Sequence, residues 1–256
     1  MLFVMARSPD ESDVLFVPAD ADRAAVPAEI GLPPSRFFPP PTATTDEGLV
    51  CVGGRLSPAW LLDAYRHGIF PWPMWDDEPM AWWSLDPRAI IELDGLSISS
   101  RLRRTLRGGS FQATCDRDFR GVIRACATGQ GREEGTWLTP AMIGAYCELH
   151  RLGHAHSIEI WRDRELAGGI YGVTIGGLFA AESMFHRVRD ASKVALVRLI
   201  AHLRSRGYLL LDIQQWTPHT GRLGAVEIPR LEYLRRLAAA IELPVSFGDK
   251  LEPADS

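Results

Sequence analysis

The chain has 256 residues, of which 46% are apolar, and a formal net charge of −4, enough apolar material for one large or two small cores and an argument against general disorder. The negative balance excludes a generally basic nucleic-acid binder, though a local patch can still do that work, and no apolar run approaches a membrane span. The apolar opening residues are followed at once by Arg7, Asp10, Glu11 and Asp13, leaving no secretory h-region, so a soluble, cytoplasmic protein without membrane contact is expected.

Residues 1–36 scatter Pro, Ala and Asp around a weak strand candidate at Val14–Val17, and no function is assigned to them. Phe37–Pro41 is stiffened by its prolines and leads into an apolar run, Leu49–Val52. Ser57-Pro58 and Gly68 carry the N-cap, N1 proline and C′ glycine of a short helix. Trp72, Trp75, Trp82 and Trp83 then fall within twelve residues. Such density marks either a core corner or a surface that grips flat ligands, and Trp72, flanked by prolines, is the best ligand-facing ring.

From Pro87 the pattern runs strand (Ala89–Leu93), helix capped by Ser97, and strand (Phe111–Thr114). The helix carries Arg101, Arg103, Arg104 and Arg107 with no acid among them, either a phosphate-backbone contact or a solvated face. Helices follow behind Asp116 or Asp118 and behind Thr139-Pro140, and His154–Trp161 and Leu166–Thr174 alternate as adjacent strands turned by Asp163-Arg164. His154 and His156 face one side of a strand, but without a third ligand they are read as hydrogen-bonded histidines, and Cys51, Cys115, Cys126 and Cys147 lack any CxxC pair and are read as reduced thiols. No metal is expected.

The stretch Gly176–Lys193 holds the centre of the reading. A strand candidate, Leu178–Ala181, meets Glu182 where the apolar run would continue, and Asp190 is a candidate N-cap for a helix carrying Val194, Val197, Ile200 and Leu203. The next strand, Tyr208–Gln214, is broken by Asp212 and Gln214, two apart and so on one face. Together they form a βαβ unit with three polar groups at strand ends. Trp216–Ala225 reads as a loop, Pro229 starts a last helix, and residues 248–256 form a polar tail.

The stretches FPPP, GLVCVGGRLSP, AYRHGIFPW, WWSLDPRA, REEGTWLTPAM, AYCELHRLGHAHSIEIW, ELAGGIYGV, LFAAESMF, ASKVAL, LDIQ and LGAVEIPR occur in that order from Phe37 to Leu237. In these motifs the sequence resembles the bacterial leucyl/phenylalanyl-tRNA–protein transferase family. The resemblance implies an α+β protein with a small N-terminal α/β domain (1–88, of which 1–36 do not match) and a catalytic domain (89–247) of GCN5-related, GNAT-like N-acyltransferase fold, whose sheet is mixed and mostly antiparallel. It implies transfer of leucine, phenylalanine or methionine from aminoacyl-tRNA to an N-terminal arginine or lysine of an acceptor protein, feeding N-terminal-residue-dependent degradation, by a monomer without cofactor. Carried over by position, the catalytic pair falls on Asp212 and Gln214, and the acidic site residue on Glu182. The donor side-chain pocket falls on Ile170, Phe179, Met184 and Leu211, the terminal adenosine beside Trp72 and Trp137, and the acceptor-stem contacts on Arg101, Arg103, Arg104 and Arg107.

The chemistry suits these residues. Aminolysis of an activated ester needs neither ATP nor metal, and an α-amine with a pKa of about 7.7–8.0 is partly neutral at cellular pH. Asp212 can act as base or as electrostatic anchor, and a ribose hydroxyl can carry the proton instead. Glu182 can pair with the acceptor's cationic residue, since a buried carboxylate without a cation is costly. Two competing readings are an acyl-CoA-dependent N-acyltransferase, for which no [RQ]xxGx[GA] pyrophosphate loop is found, and a tRNA-binding protein without catalysis.

Overall fold

The computed structural model describes residues 3–7, 14–19, 25–74, 79–128 and 136–251; Trp75 and Arg132–Gly135, singled out above, and the end of the polar tail lie outside them. The chain divides into two compact units, one of residues 1–89 and 227–242, the other of residues 90–226 and 243–256. The expected cut near residue 88 thus meets a second crossing, because the helix Arg230–Ile241 belongs with the first unit.

The first unit contains β1 (Phe3–Arg7), β2 (Val14–Pro18), β3 (Leu49–Gly53), α1 (Pro58–Arg66), β4 (Phe70–Pro71) and β5 (Ala81–Trp83), with sheet order β1-β2-β3-β5-β4. β1 pairs antiparallel with β2 and carries no sequence signal that anticipated it. Aromatic residues of this unit make a core corner. Phe37 stacks on Trp60 at 4.6 Å, and the fully buried Trp82 donates its indole N–H to Gly53 O at 2.8 Å. Arg88 is buried here too, with its guanidinium over the rings of Phe70 and Tyr233 and a 3.0 Å bond to Gly68 O, so aromatic faces and a carbonyl replace its water.

The second unit is built on β6 (Arg88–Ile91), α2 (Ser100–Arg107), β7 (Gln112–Cys115), α3 (Phe119–Thr128), α4 (Pro140–Arg151), β8 (Ala155–Arg162), β9 (Glu165–Ile175), β10 (Leu178–His186), α5 (Ala191–Ser205), β11 (Leu210–Gln214), α6 (Pro218–Gly221) and β12 (Ala225–Ile228). The last helix is α7 (Arg230–Ile241). The sheet order is β12-β6-β11-β10-β9-β8-β7, with the unit boundary falling inside β6 and β12. Pairs β7–β8, β8–β9 and β9–β10 are antiparallel and β10–β11 is parallel, the mixed arrangement of an α+β protein. Asp163 and Arg164 turn the β8–β9 hairpin with φ of 52° and 66°, the left-handed pair that a two-residue turn between twisted strands requires.

The two faces of the sheet are covered by different helices. A Cβ on Gly168 would meet Ala191 of α5, whereas one on the next residue, Gly169, would meet Val122 of α3. Successive strand residues point to opposite faces, so Gly168, Ile170 and Gly172 face α5 while Gly169 and Tyr171 face α3 and α4. Phe119 and Tyr146 confirm the second face by meeting Tyr171 edge-on at 5.8 and 5.6 Å.

Three local expectations are corrected. α2 is capped by Ser99, whose hydroxyl accepts from the Leu102 N–H at 3.2 Å, and not by Ser97. Asp190 does occupy the N-cap position of α5, but with φ of 68° and no side-chain cap, because its carboxylate turns to Arg101 and Lys193 at 3.3 and 3.4 Å. The supposed loop Trp216–Ala225 contains α6 and ends where β12 begins, a short turn-rich segment concealed from periodicity.

Candidate active site

β10 does not stop at Ala181. Its register with β9 shifts between Ala181, opposite Gly172, and Ser183, opposite Tyr171, leaving Glu182 as the inserted residue of a β-bulge. A bulge re-aims a side chain without ending the strand, which is the reason for the carboxylate that the sequence placed in an apolar run. Glu182 Oε2 accepts from the Tyr146 hydroxyl of α4 at 2.9 Å, and Oε1 accepts from Gln214 Nε2 at 3.3 Å.

The parallel pairing of β10 with β11 runs only from Leu178/Leu210 to Ala180/Asp212. Beyond that the strands part. Glu182 and Gln214, each two residues past the last pair, face one another across the opening. Asp212 is fully buried at the last rung, and its Oδ1 accepts the backbone N–H of Gln214 at 2.9 Å.

Alternation predicts that Asp212 and Gln214 point the same way from an extended strand. The strand ends there in a turn: Gln214 has φ of 56° and the Gln215 N–H bonds to Ile213 O at 2.6 Å, while the Gln214 amide still reaches Glu182, which Tyr146 holds from α4. A positive φ at a non-glycine residue is uncommon and costs about 1–3 kcal/mol. Here the Asp212 bond holds it, and the result is a relay in which Asp212 fixes the Gln214 backbone and the Gln214 amide reaches Glu182.

The four residues expected to line a donor pocket all lie on the α5 face of the sheet. Ile170, Phe179 and Leu211 are buried in the hydrophobic cluster that includes Val194, Leu196 and Leu199 of α5, and Met184, half-buried against it, is the cross-strand partner of Ile170. Leu211 and Ile213 both pack on that cluster, so Asp212 between them faces the other side of the sheet. The structure therefore brings Glu182, Asp212 and Gln214 together and places the apolar four on the α5 face. Tyr146 of α4 is a residue at the site that the sequence reading did not single out; a hydroxyl aimed at an acid from another element leaves no local signal.

Of the outlying residues, Trp72 belongs to the first unit, has an exposed ring, and accepts the Trp83 indole N–H on its carbonyl at 2.9 Å. Trp137 is half-buried just ahead of α4. Arg101, Arg103, Arg104 and Arg107 are all exposed on α2. The cluster is not wholly uncompensated, since Arg101 pairs with Asp190; Arg103, Arg104 and Arg107 make no ion pair among the described residues.

His156 is bonded to Asp116 Oδ2 at 2.6 Å and stacks on Phe247 at 4.3 Å, and no group of three His, Cys, Asp or Glu suited to a metal occurs among the described residues. Burial pushes the Cys51 and Cys147 thiols up and that of Cys115 to about 11, so these cysteines stay protonated at neutral pH and are poor nucleophiles. No helix among the described residues is long and apolar enough to cross a membrane.

Comparison with known proteins gives this geometry its context. Residues 90–238 match the family model described as leucyl/phenylalanyl-tRNA protein transferase, and residues 54–86 match that of the family's N-terminal domain. Among similar relatives, the leucyl/phenylalanyl-tRNA–protein transferase of Anaeromyxobacter sp. is 49% identical over 85% of this chain and 92% of its own. Those of Chromohalobacter salexigens and Solidesulfovibrio magneticus are 50% and 53% identical, over 78% and 80% of this chain and 78% and 83% of theirs. A solved ribosomal-protein-alanine N-acetyltransferase from Brucella melitensis, 16% identical with a TM-score of 0.33, covers 44% of this chain and 84% of its own and carries no argument.

The fold and its relatives thus define a transferase of the α+β class. The chain belongs to the leucyl/phenylalanyl-tRNA protein transferase family.

Proposed function

We propose that this protein moves leucine, phenylalanine or methionine from aminoacyl-tRNA onto the N-terminal arginine or lysine of an acceptor protein, in the cytoplasm and on a GNAT-like scaffold, marking the acceptor for degradation. The observation that carries the reading is the Asp212–Gln214–Glu182 relay at the opening between β10 and β11. It offers two carboxylates in one small region with different surroundings. Asp212 is fully buried on the strand, whereas Glu182 is half-buried on a bulge and accepts from Tyr146 and Gln214.

In the reaction the acceptor's neutral α-amine attacks the ester carbonyl. The new C–N bond forms, the C–O bond to the ribose breaks, and the amine's proton ends on the departing ribose oxygen. Asp212 takes or relays that proton and keeps Gln214 in the turn from which its amide bridges to Glu182. Glu182 binds the guanidinium or ammonium of the acceptor's first residue, because a partly buried carboxylate prefers a cation to a neutral side chain. Ile170, Phe179 and Leu211, with the half-buried Met184, receive the donor's apolar side chain. A site that sorts by apolar size separates substrates by only about 1–3 kcal/mol per methylene, consistent with several large apolar donors. Trp72 and Trp137 are assigned to the terminal adenosine, and the α2 arginines to the acceptor stem.

The test mixes Leu-tRNA with an Arg-initiated reporter peptide. Transfer by the wild-type chain, absent with acetyl-CoA as donor and lost when Asp212→Ala and Gln214→Ala are combined, is the expected result. Transfer that survives the double substitution would overturn the mechanism.

A further inference from the structure

Phe179, assigned above to the donor's side chain, is paired on β9 with Thr174, yet its ring leans along the sheet and lies over Gly172. A Cβ on Gly172 would collide with Phe179 Cε1 and with Ala180 O, and would come within 2.9 Å of Phe179 Cζ. Gly172 is in turn the partner of Ala181, the last rung before the Glu182 bulge. The missing side chain at 172 therefore lets the ring extend toward the bulge, and glycine is required there for space.

The second aromatic neighbour of that ring is Phe247, from the segment after α7, with centroids 5.8 Å apart and planes tilted by 32°. Phe247 is buried and held on several sides. It stacks on His156 at 4.3 Å, meets His202 of α5 edge-on at 4.5 Å, and its carbonyl accepts from His202 Nε2 at 2.8 Å. His156 is itself bonded to Asp116 at 2.6 Å. The residue before it is tied to the end of α5, since Arg206 Nε donates to Ser246 O and Arg206 Nη2 to Ser246 Oγ, both at 3.0 Å. Segments near chain ends usually fray unless they are tied down, and this one is tied down behind a wall of the proposed pocket. It also lies outside residues 90–238, the part that matches the family's catalytic-domain model. Because interiors are close-packed, a ring fixed at this place limits how far Phe179 can retreat.

We infer that Phe247 is a positioning residue for donor choice: it holds the Phe179 ring forward over Gly172 and so sets the length of apolar side chain that the site accepts. The inference rests on the donor assignment proposed above and adds the residue that fixes its size limit. Without the Phe247 ring, the space behind Phe179 fills only in part, the Phe179 ring moves back into it, and the pocket deepens.

The experiment measures kcat/KM for transfer to an Arg-initiated peptide from Leu-tRNA and from Phe-tRNA, with the wild type, Phe247→Ala, Phe247→Leu and Met184→Ala. Phe247→Ala is expected to shift the Phe-to-Leu ratio roughly ten-fold toward phenylalanine, the lower end of what one methylene in an apolar pocket produces, while KM for the peptide stays near wild type. Phe247→Leu should shift the ratio the same way by a smaller factor, and it carries the test if the alanine variant does not fold. An equal loss with both donors would make Phe247 a structural residue and overturn the inference. A ratio that moves with Met184→Ala but with neither Phe247 variant would also overturn it, leaving the donor pocket standing. A ratio that none of the three moves would remove the pocket as well, and no transfer by the wild type from either donor would remove the proposed function with it.

Discussion

Gln214 donates to Glu182 across 3.3 Å at the point where β10 and β11 have already parted. Both residues reach that position by local departures from regular strand, one by a bulge and the other by a positive φ. The acid group, the amide and the buried Asp212 behind it thus form one unit, and the following outcomes test its parts.

Asp212→Asn keeps an oxygen able to accept the Gln214 N–H and removes only the charge. Transfer from Leu-tRNA is expected to fall roughly 10²- to 10⁴-fold in kcat, the range of a lost general base, with an unchanged circular dichroism spectrum. A variant within a few-fold of wild type would make Asp212 a structural residue.

Tyr146→Phe removes the hydroxyl that holds Glu182 Oε2. One such bond is worth about 1 kcal/mol net, so KM for an Arg-initiated peptide should rise about five-fold while KM for the tRNA holds. Glu182→Gln should act on the same parameter more strongly and should lessen the preference for Arg over an uncharged first residue. Peptide titrations at saturating tRNA measure both; equal losses for charged and uncharged peptides would separate Glu182 from acceptor choice.

Arg103 and Arg104 lie exposed on α2 without ion pairs among the described residues. Replacing both by Ala should weaken tRNA binding and reduce the slope of log K against log salt by roughly 0.7–0.9 for each phosphate that is no longer neutralised. An unaltered slope would show a solvated face.

Glu159 is fully buried and accepts from Thr114 and Ser157 at 2.5 Å each and from the Arg117 N–H at 3.3 Å. Burial raises its carboxyl above the ordinary 4.5, against the opposing pull of those bonds. A raised folded value means that the group's stabilising contribution is complete below the unfolded value and is lost as pH rises through the folded one. The stability difference, wild type minus Glu159→Gln, should therefore decline as pH rises above the ordinary carboxyl value of 4.5. Urea denaturation of both proteins across that range measures it, and a difference that grows with pH would reverse the assignment.

Much of the second unit was legible from local pattern. Thr139-Pro140 starts α4, Asp163-Arg164 turns β8 into β9, and the apolar spacing from Val194 to Leu203 gives α5, because caps, turns and amphipathic faces are set by residues near in sequence. The motif order also placed Glu182, Asp212 and Gln214 in one family before any geometry was known. Their arrangement was not legible. Glu182 is aimed by a register shift that exists only when β9 lies alongside, and its orienting hydroxyl arrives on α4, 36 positions earlier in the chain. Asp190 serves Arg101, 89 positions away, rather than the helix it begins. Gln214 leaves the extended region that its strand implies, held there by Asp212. The sequence by itself determined most of the elements that form and nominated Glu182, Asp212 and Gln214 for the site, but not Tyr146. The tertiary structure decided where those residues point, because bulges, strand partings and cross-element bonds depend on what each strand meets and carry almost no energy in the isolated segment.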